Sequence, residues 1–286
     1  MKELTVEIIQ KCINNCVFCS SNSGINCTNK ININTFKNII DDAKRIGVDT
    51  LYVSGGEPFL HHDLEDMINI AKEKNLHTSI YTSGIEINLF NDMRSLNYFK
   101  LLHLVCLGID KIVFDLPSIN EDIYDKLMNT KGRLKLVLES IQKCIEAGIY
   151  TEVHFVPNKL NYKTFKELVD YCDFVGVNKI NLIKLVYQGR ANSNKDKLFI
   201  SKDELENFIN EVRNIKSSKS LIRIGNSFKN CSKCDIGKNK IVIKYNGDVL
   251  PCERFKDVEY INNIKIDNIY AKSLYSIYKE SKLFNM

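Results

Sequence analysis

No stretch of this 286-residue chain is apolar for long enough to span a bilayer, and its N-terminus runs straight into a strand-like segment of mixed character. Neither a signal peptide nor a transit peptide is visible, so a soluble protein of the cytoplasm is expected. No basic block stands out either. The net charge of +5 comes from forty basic and thirty-five acidic residues scattered along the chain, and a nucleic-acid partner is not implied. Without a secretory route the ten cysteines point to a reducing compartment, and to metal ligation or burial in place of disulfides. In that setting Asn26-Cys27-Thr28 matches a glycosylation acceptor only by chance. The length is sufficient to bury a sizeable core.

Three of the cysteines share one short loop, Cys12-Ile13-Asn14-Asn15-Cys16-Val17-Phe18-Cys19, directly after the apolar run Leu4 to Ile9. Thiolates spaced C-x3-C-x2-C can converge on one metal centre, and soft sulfur ligands select iron–sulfur clusters or zinc. Zinc sites usually pair a C-x2-C with a second pair, and no Cys or His beyond Cys27 lies near enough in sequence to complete one locally. Three simply buried cysteines are the other alternative. The spacing, with Phe18 just before the last cysteine, resembles the signature of the radical S-adenosylmethionine (SAM) superfamily. The resemblance implies a 4Fe-4S cluster on Cys12, Cys16 and Cys19 whose fourth iron binds SAM and reduces it to a 5′-deoxyadenosyl radical.

Strand and helix patterns alternate after the loop. Strands are expected at Thr50 to Val53, His77 to Tyr81, Lys111 to Asp115, Tyr150 to Val156 and Lys179 to Val186. Helices are expected at Thr35 to Ile46, around Leu64 to Ala71, around Asn88 to Leu104, at Leu134 to Ile145 and around Phe165 to Cys172. Six strand–helix repeats with right-handed crossovers predict an α/β fold, a parallel sheet curling into a partial (β/α)6 TIM-type barrel. Ligands in such sheets bind at the carboxyl ends of the strands.

The strand ends carry the remaining motifs. Ser54-Gly55-Gly56-Glu57-Pro58 matches the superfamily's second signature, which implies contact with the amino group of SAM through Gly55, Gly56 and Glu57. Tyr81-Thr82-Ser83-Gly84 resembles the polar turn of relatives, placing Thr82 and Ser83 near SAM. Phe114-Asp115-Leu116-Pro117 stands where the family commonly has Ser-Leu-Asp; Asp115 is then the acceptor for a ribose hydroxyl, with Pro117 replacing the family's acid. Asn161 is expected to cap the next helix. Gln188-Gly189-Arg190-Ala191 resembles a Gly-Arg-Ala turn, making Arg190 the partner of the SAM carboxylate.

The barrel is expected over residues 1–191, a linker and helix over 192–219, and a small α+β extension over 220–286. In that extension Cys231-Ser232-Lys233-Cys234 precedes a hairpin on Asn246-Gly247 that delivers Cys252. This resembles the auxiliary-cluster extension known as SPASM or twitch, and the helix-like Ser273 to Tyr278 fits it. The resemblance implies a second 4Fe-4S cluster on Cys231, Cys234 and Cys252, without a later cysteine for the fourth position; zinc is the alternative. Cys27, in the polar loop, is a candidate hydrogen-atom donor. Cys106, Cys144 and Cys172 are expected to be buried, and none of the five histidines is assigned a ligand role, although His154, on the fifth strand, is the one placed to face the barrel. The expected activity is hydrogen abstraction from a ribosomally made peptide or protein, with flavodoxin or ferredoxin as electron donor. Dehydrogenation or rearrangement of a small metabolite is the alternative, and a non-enzymatic iron–sulfur or zinc protein the alternative of another class.

Overall fold

The computed structural model describes residues 2–88, 90–228, 237, 239–256, 258–261 and 264–284. β1 (Glu3–Ile9) leads through the cysteine loop to α1 (Ile33–Ile46), β2 (Thr50–Gly55), α2 (Leu64–Glu73) and β3 (His77–Thr82). A short hairpin of β4 (Ile85–Ile87) and β5 (Met93–Ser95) precedes α3 (Tyr98–Cys106) and β6 (Lys111–Asp115). Two helices, α4 (Glu121–Met128) and α5 (Leu134–Glu146), lead to β7 (Thr151–Phe155), α6 (Phe165–Val175) and β8 (Lys179–Leu182). The short α7 (Arg190–Ser193) and α8 (Lys195–Leu198) come before α9 (Lys202–Asn214). The strands β9 (Leu221–Ile224), β10 (Lys240–Ile243), β11 (Asp248–Leu250), β12 (Tyr260–Ile261), β13 (Ile264–Lys265) and β14 (Asp267–Asn268) follow, then α10 (Leu274–Glu280).

One sheet has the order β14-β11-β10-β1-β2-β3-β6-β7-β8-β9, and from β10 to β9 every neighbouring pair is parallel. The six expected strands form its centre, as a partial barrel requires. Alternation decides which side chains face inward. On β7, Phe155 packs outward against Phe165 and Phe208, so Glu152 and His154 on the opposite face point into the barrel. On the helices the buried stripes are those the periodicity predicts, such as Phe36, Ile39, Ile40 and Ala43 on α1. That helix is capped by the Asn32 side chain and closed by Gly47 at φ 86°.

Three features differ from expectation. The helix expected around Asn88 to Leu104 is split into the β4–β5 hairpin and α3. Asn88 Oδ1 accepts from the Phe90 and Asp92 amides, at 2.8 and 2.9 Å; Asn91 takes φ 65°; and Arg94 pairs with Glu86 across the hairpin. This side-chain turn chemistry overrides the helical pattern, and Asn97 then caps α3. The strand expected to reach Val186 ends at Leu182. The expected boundaries at 191 and 220 are crossed by the sheet itself, because β9 pairs with β8 along one edge and β10 with β1 along the other. Among the described residues no helix is long and apolar enough to cross a membrane. Cys106 is exposed, whereas Cys144 and Cys172 are buried as expected.

Candidate functional site: a cysteine loop facing one cavity

At the carboxyl ends of the parallel strands a cavity of about 560 Å³ is lined by Cys12, Cys16 and Cys19 together with Phe18, Gly55, Gly56, Thr82, Ser83, Asp115, Arg190 and Cys252. Residues from distant parts of the chain are thus brought together. Glu57 and Cys27 are not among the lining residues. Cys231 and Cys234 lie outside the described residues.

The cysteine loop is held from both sides. The Asn15 and Val17 amides donate to carbonyls at the end of α4, Val17 at 2.9 Å to Leu127. Arg133 reaches the Ile13 carbonyl at 2.8 Å. From the other side the Arg190 amide donates to the Cys19 carbonyl and its Nε to the Cys16 carbonyl, both at 2.9 Å. Arg190, expected at the SAM carboxylate, therefore clamps the loop while still lining the cavity.

Gly55 and Gly56 have a main-chain reason to be glycine. A Cβ on Gly55, at φ 141°, would lie 2.2 Å from the Ile9 carbonyl oxygen, and one on Gly56 would lie 2.2 Å from that of Lys11. Their absence lets the Gly56 and Glu57 amides donate to Ile9 and Lys11, so the end of β2 grips the segment leading into Cys12. Glu57, expected to contact SAM, is fully buried and turned away. Its carboxylate accepts from the Thr82 hydroxyl, the Ser83 hydroxyl, and the amides of Phe59 and Ser83. Burial outweighs these bonds and raises its pKa. The Thr82 and Ser83 hydroxyls donate to Glu57, so their cavity-facing role is through shape and backbone. Asn161 is not a side-chain cap: it donates to the Pro117 and Val156 carbonyls and accepts from the Asn158 amide, tying two strand exits together.

Burial pushes the Cys12 thiol up to about 12 and, with the neighbouring Cys12 and Cys19, raises Cys16 well above its ordinary value. Two buried thiols raised in this way ionise only with compensating positive charge, which a metal centre supplies. Three soft thiolates on one loop suit an iron–sulfur cluster with one position left open. Asp115 supplies a second sign of fit. Its Oδ1 is buried without a hydrogen-bond partner, burial raises its pKa to about 7, and an incoming hydroxyl would satisfy it. The residues therefore suit a 4Fe-4S cluster with SAM beside it. Cys27 instead sits in the outer loop with its thiol toward the Asn22 carbonyl, away from the position a hydrogen-atom donor needs. The one other metal-like group among the described residues, His61, His62 and Asp63, is engaged otherwise, since both His61 ring nitrogens bond backbone.

Two further features border the cavity, of which only the Lys256 contact lacks any counterpart in the sequence reading. Lys256 Nζ lies 2.6 Å from Glu7 Oε1 and 2.9 Å from Ser21 Oγ, and Gln188 accepts from the Lys256 amide. The segment after Cys252 is thus fastened to β1 and to the cysteine loop. Within the barrel Tyr81 and His154, ring centroids 5.2 Å apart, face the cavity. Behind them Glu152 bonds His154, Lys111, Lys179 and Asn181. The inward alternation of charged residues on β6, β7 and β8 was the available signal. Nothing local marks Lys256.

Comparison with known proteins agrees with this geometry. The radical SAM superfamily model matches residues 6–172 and the iron-sulfur cluster-binding (SPASM) domain model residues 231–286. The PqqA peptide cyclase of Gluconobacter oxydans is 24% identical over 291 residues, covering 99% of this chain and 78% of that protein. A tungsten-containing aldehyde ferredoxin oxidoreductase cofactor-modifying protein of Pyrococcus furiosus is 27% identical, with 99% and 82% covered. Streptococcus suis SuiB bound to its precursor peptide SuiA superimposes with a TM-score of 0.77 at 20% identity, over 99% of this chain and 65% of SuiB. The chain thus spans just under two thirds of the length of SuiB, and that likeness shows the fold. Cys12, Cys16 and Cys19 on the loop after β1, the glycine grip on that loop and the match over residues 6–172 lead to one conclusion: the chain belongs to the radical SAM superfamily.

Proposed function

We propose that this protein uses radical SAM chemistry to modify a ribosomally made peptide or protein. The observation that carries the reading is one cavity running from the Cys12-Cys16-Cys19 loop to Cys252, so that a substrate held in it lies between the two cysteine sites. When bound, the cluster and SAM supply a one-electron cleavage that yields an adenosyl radical able to abstract hydrogen. The chain's own residues do the rest. Cys12, Cys16 and Cys19 hold the cluster, and the backbone of Gly55 and Gly56 borders the methionyl part of SAM. Asp115 accepts from the ribose, and Arg190 keeps the loop in place beside the carboxylate. Phe18, half-shielding the loop, and the Tyr81–His154 floor exclude water. Cys252, with Cys231 and Cys234, would hold an auxiliary 4Fe-4S cluster, which would supply a second one-electron centre or an anchoring point for the substrate. The electron donor is a flavodoxin or ferredoxin.

The peptide class is supported by PqqA peptide cyclases among the relatives and by the likeness to SuiB with its precursor peptide. The test is anaerobic turnover with peptides encoded by short reading frames beside the gene, each deuterated at its side chains. Deuterium appearing in 5′-deoxyadenosine, with a matching loss from the peptide, is the expected result. Transfer only from small metabolites would overturn the peptide class.

A further inference from the structure

Beside the radical cavity, α9 and the turn after β9 enclose a second groove of about 590 Å³. Lys202, Ile209 and Arg213 of α9 form one wall, and Lys184, Ser227 and Phe228 the other. Lys184 and Ser227 line both spaces, so the groove borders the cavity across these two residues. Its floor is apolar, with Ile209 buried and Phe228 half-buried. Its rim is basic. Three cations face a single acid, Glu206, whose contact with Lys202 is 3.8 Å long between two largely exposed side chains. A pair of that kind neutralises little. Lys184 has no ion-pair partner among the described residues.

An apolar floor with a basic rim, bordering the reaction chamber, suits an extended chain that carries carboxylates and an apolar anchor. We infer that this groove binds an acidic segment of the peptide substrate, next to the residue that enters the radical cavity; the inference rests on the peptide-modification reading above. The groove would thus select substrates by the charge of a flanking segment, independently of the reacting side chain. A nucleic acid would meet the same cations, but Glu206 in their midst and the apolar floor favour a peptide.

Fluorescence anisotropy on the anaerobically reconstituted full chain tests this at low salt. The probes are a fluorescein-labelled peptide of alternating Glu and Leu and its counterpart with Gln for Glu. The acidic probe should bind about tenfold more tightly than the neutral one. Lys202→Glu/Arg213→Glu, both on the exposed face of α9, should remove that preference with an unchanged thermal melt, and Glu206→Lys should increase it. A preference that survives the double reversal would overturn the groove assignment while leaving the peptide reading intact. Failure of the acidic probe to bind the wild type would likewise overturn the groove assignment, whereas the peptide reading is tested separately by the deuterium transfer above. Displacement of the acidic peptide by a lower concentration of oligo-dT would assign the cations to nucleic acid and overturn the proposal.

Discussion

Gly56 and Glu152 show how single residues shape the site, one through its backbone and one from behind the cavity wall. Gly56→Ala would drive a methyl group into the Lys11 carbonyl at 2.2 Å, with backbone on both sides and nothing flexible to yield. A loss of about 3 kcal/mol or more is expected, in the range of severe backbone clashes, measured by denaturant unfolding of the apo-protein under anaerobic conditions. The variant should also retain less iron after reconstitution. Glu152 is the pH-sensitive counterpart. Burial would raise its pKa, but the His154 hydrogen bond and the charges of His154, Lys111 and Lys179 outweigh it and bring it down to about 2. A carboxyl lowered in the folded state stabilises it above the ordinary value of 4.5, and that contribution is lost as pH falls toward 2. Unfolding free energy measured at intervals between pH 5 and about 3 should therefore drop in the wild type and stay flatter in Glu152→Gln. At pH 7 the same variant leaves Lys111 and Lys179 without their carboxylate and should lose about 3 kcal/mol.

At the scale of elements, the strap from Cys252 to Lys256 decides how the C-terminal part meets the barrel. Lys256 and Glu7 are 249 residues apart in sequence and form a buried pair sharing Ser21. Glu7 Oε2 has no further partner, so Lys256→Met would strand a buried carboxylate. The expected outcome is destabilisation of about 3–5 kcal/mol in a denaturant titration, whereas Glu7→Gln/Lys256→Met together should recover most of it. This pairing shows where sequence reading stops. The central strands, the helix stripes and the turns at strand exits were legible, because their signals are local: period two, period 3.6, and Gly or Asn at the ends. The β4–β5 hairpin was not, since Asn88 and Asn91 override a helix-like run. Nor were β9 and β10, because which edge a strand joins is a tertiary matter that no local pattern states. Glu57 was misplaced for a related reason. Its motif was visible, but which way the carboxylate turns depends on Thr82 and Ser83 on the next strand.

At the scale of the whole molecule, the parallel sheet gathers the exits of β1, β2, β3, β6 and β8 at one end, and the strap bearing Cys252 closes onto them. The cysteine loop, the glycine turn and Asp115 could be placed at that end from topology alone. That Cys252 lines the same cavity could not, since it depends on β10 joining β1. The central claim is that Cys12, Cys16 and Cys19 hold the cluster that cleaves SAM in this cavity. Its most direct test is 5′-deoxyadenosine formation by the reduced, reconstituted protein, comparing wild type with the Cys12→Ala/Cys16→Ala/Cys19→Ala variant. The account predicts product from the wild type and none from the variant, which should still keep iron at the auxiliary site. Product from the triple variant, or none from an iron-loaded wild type, would contradict it.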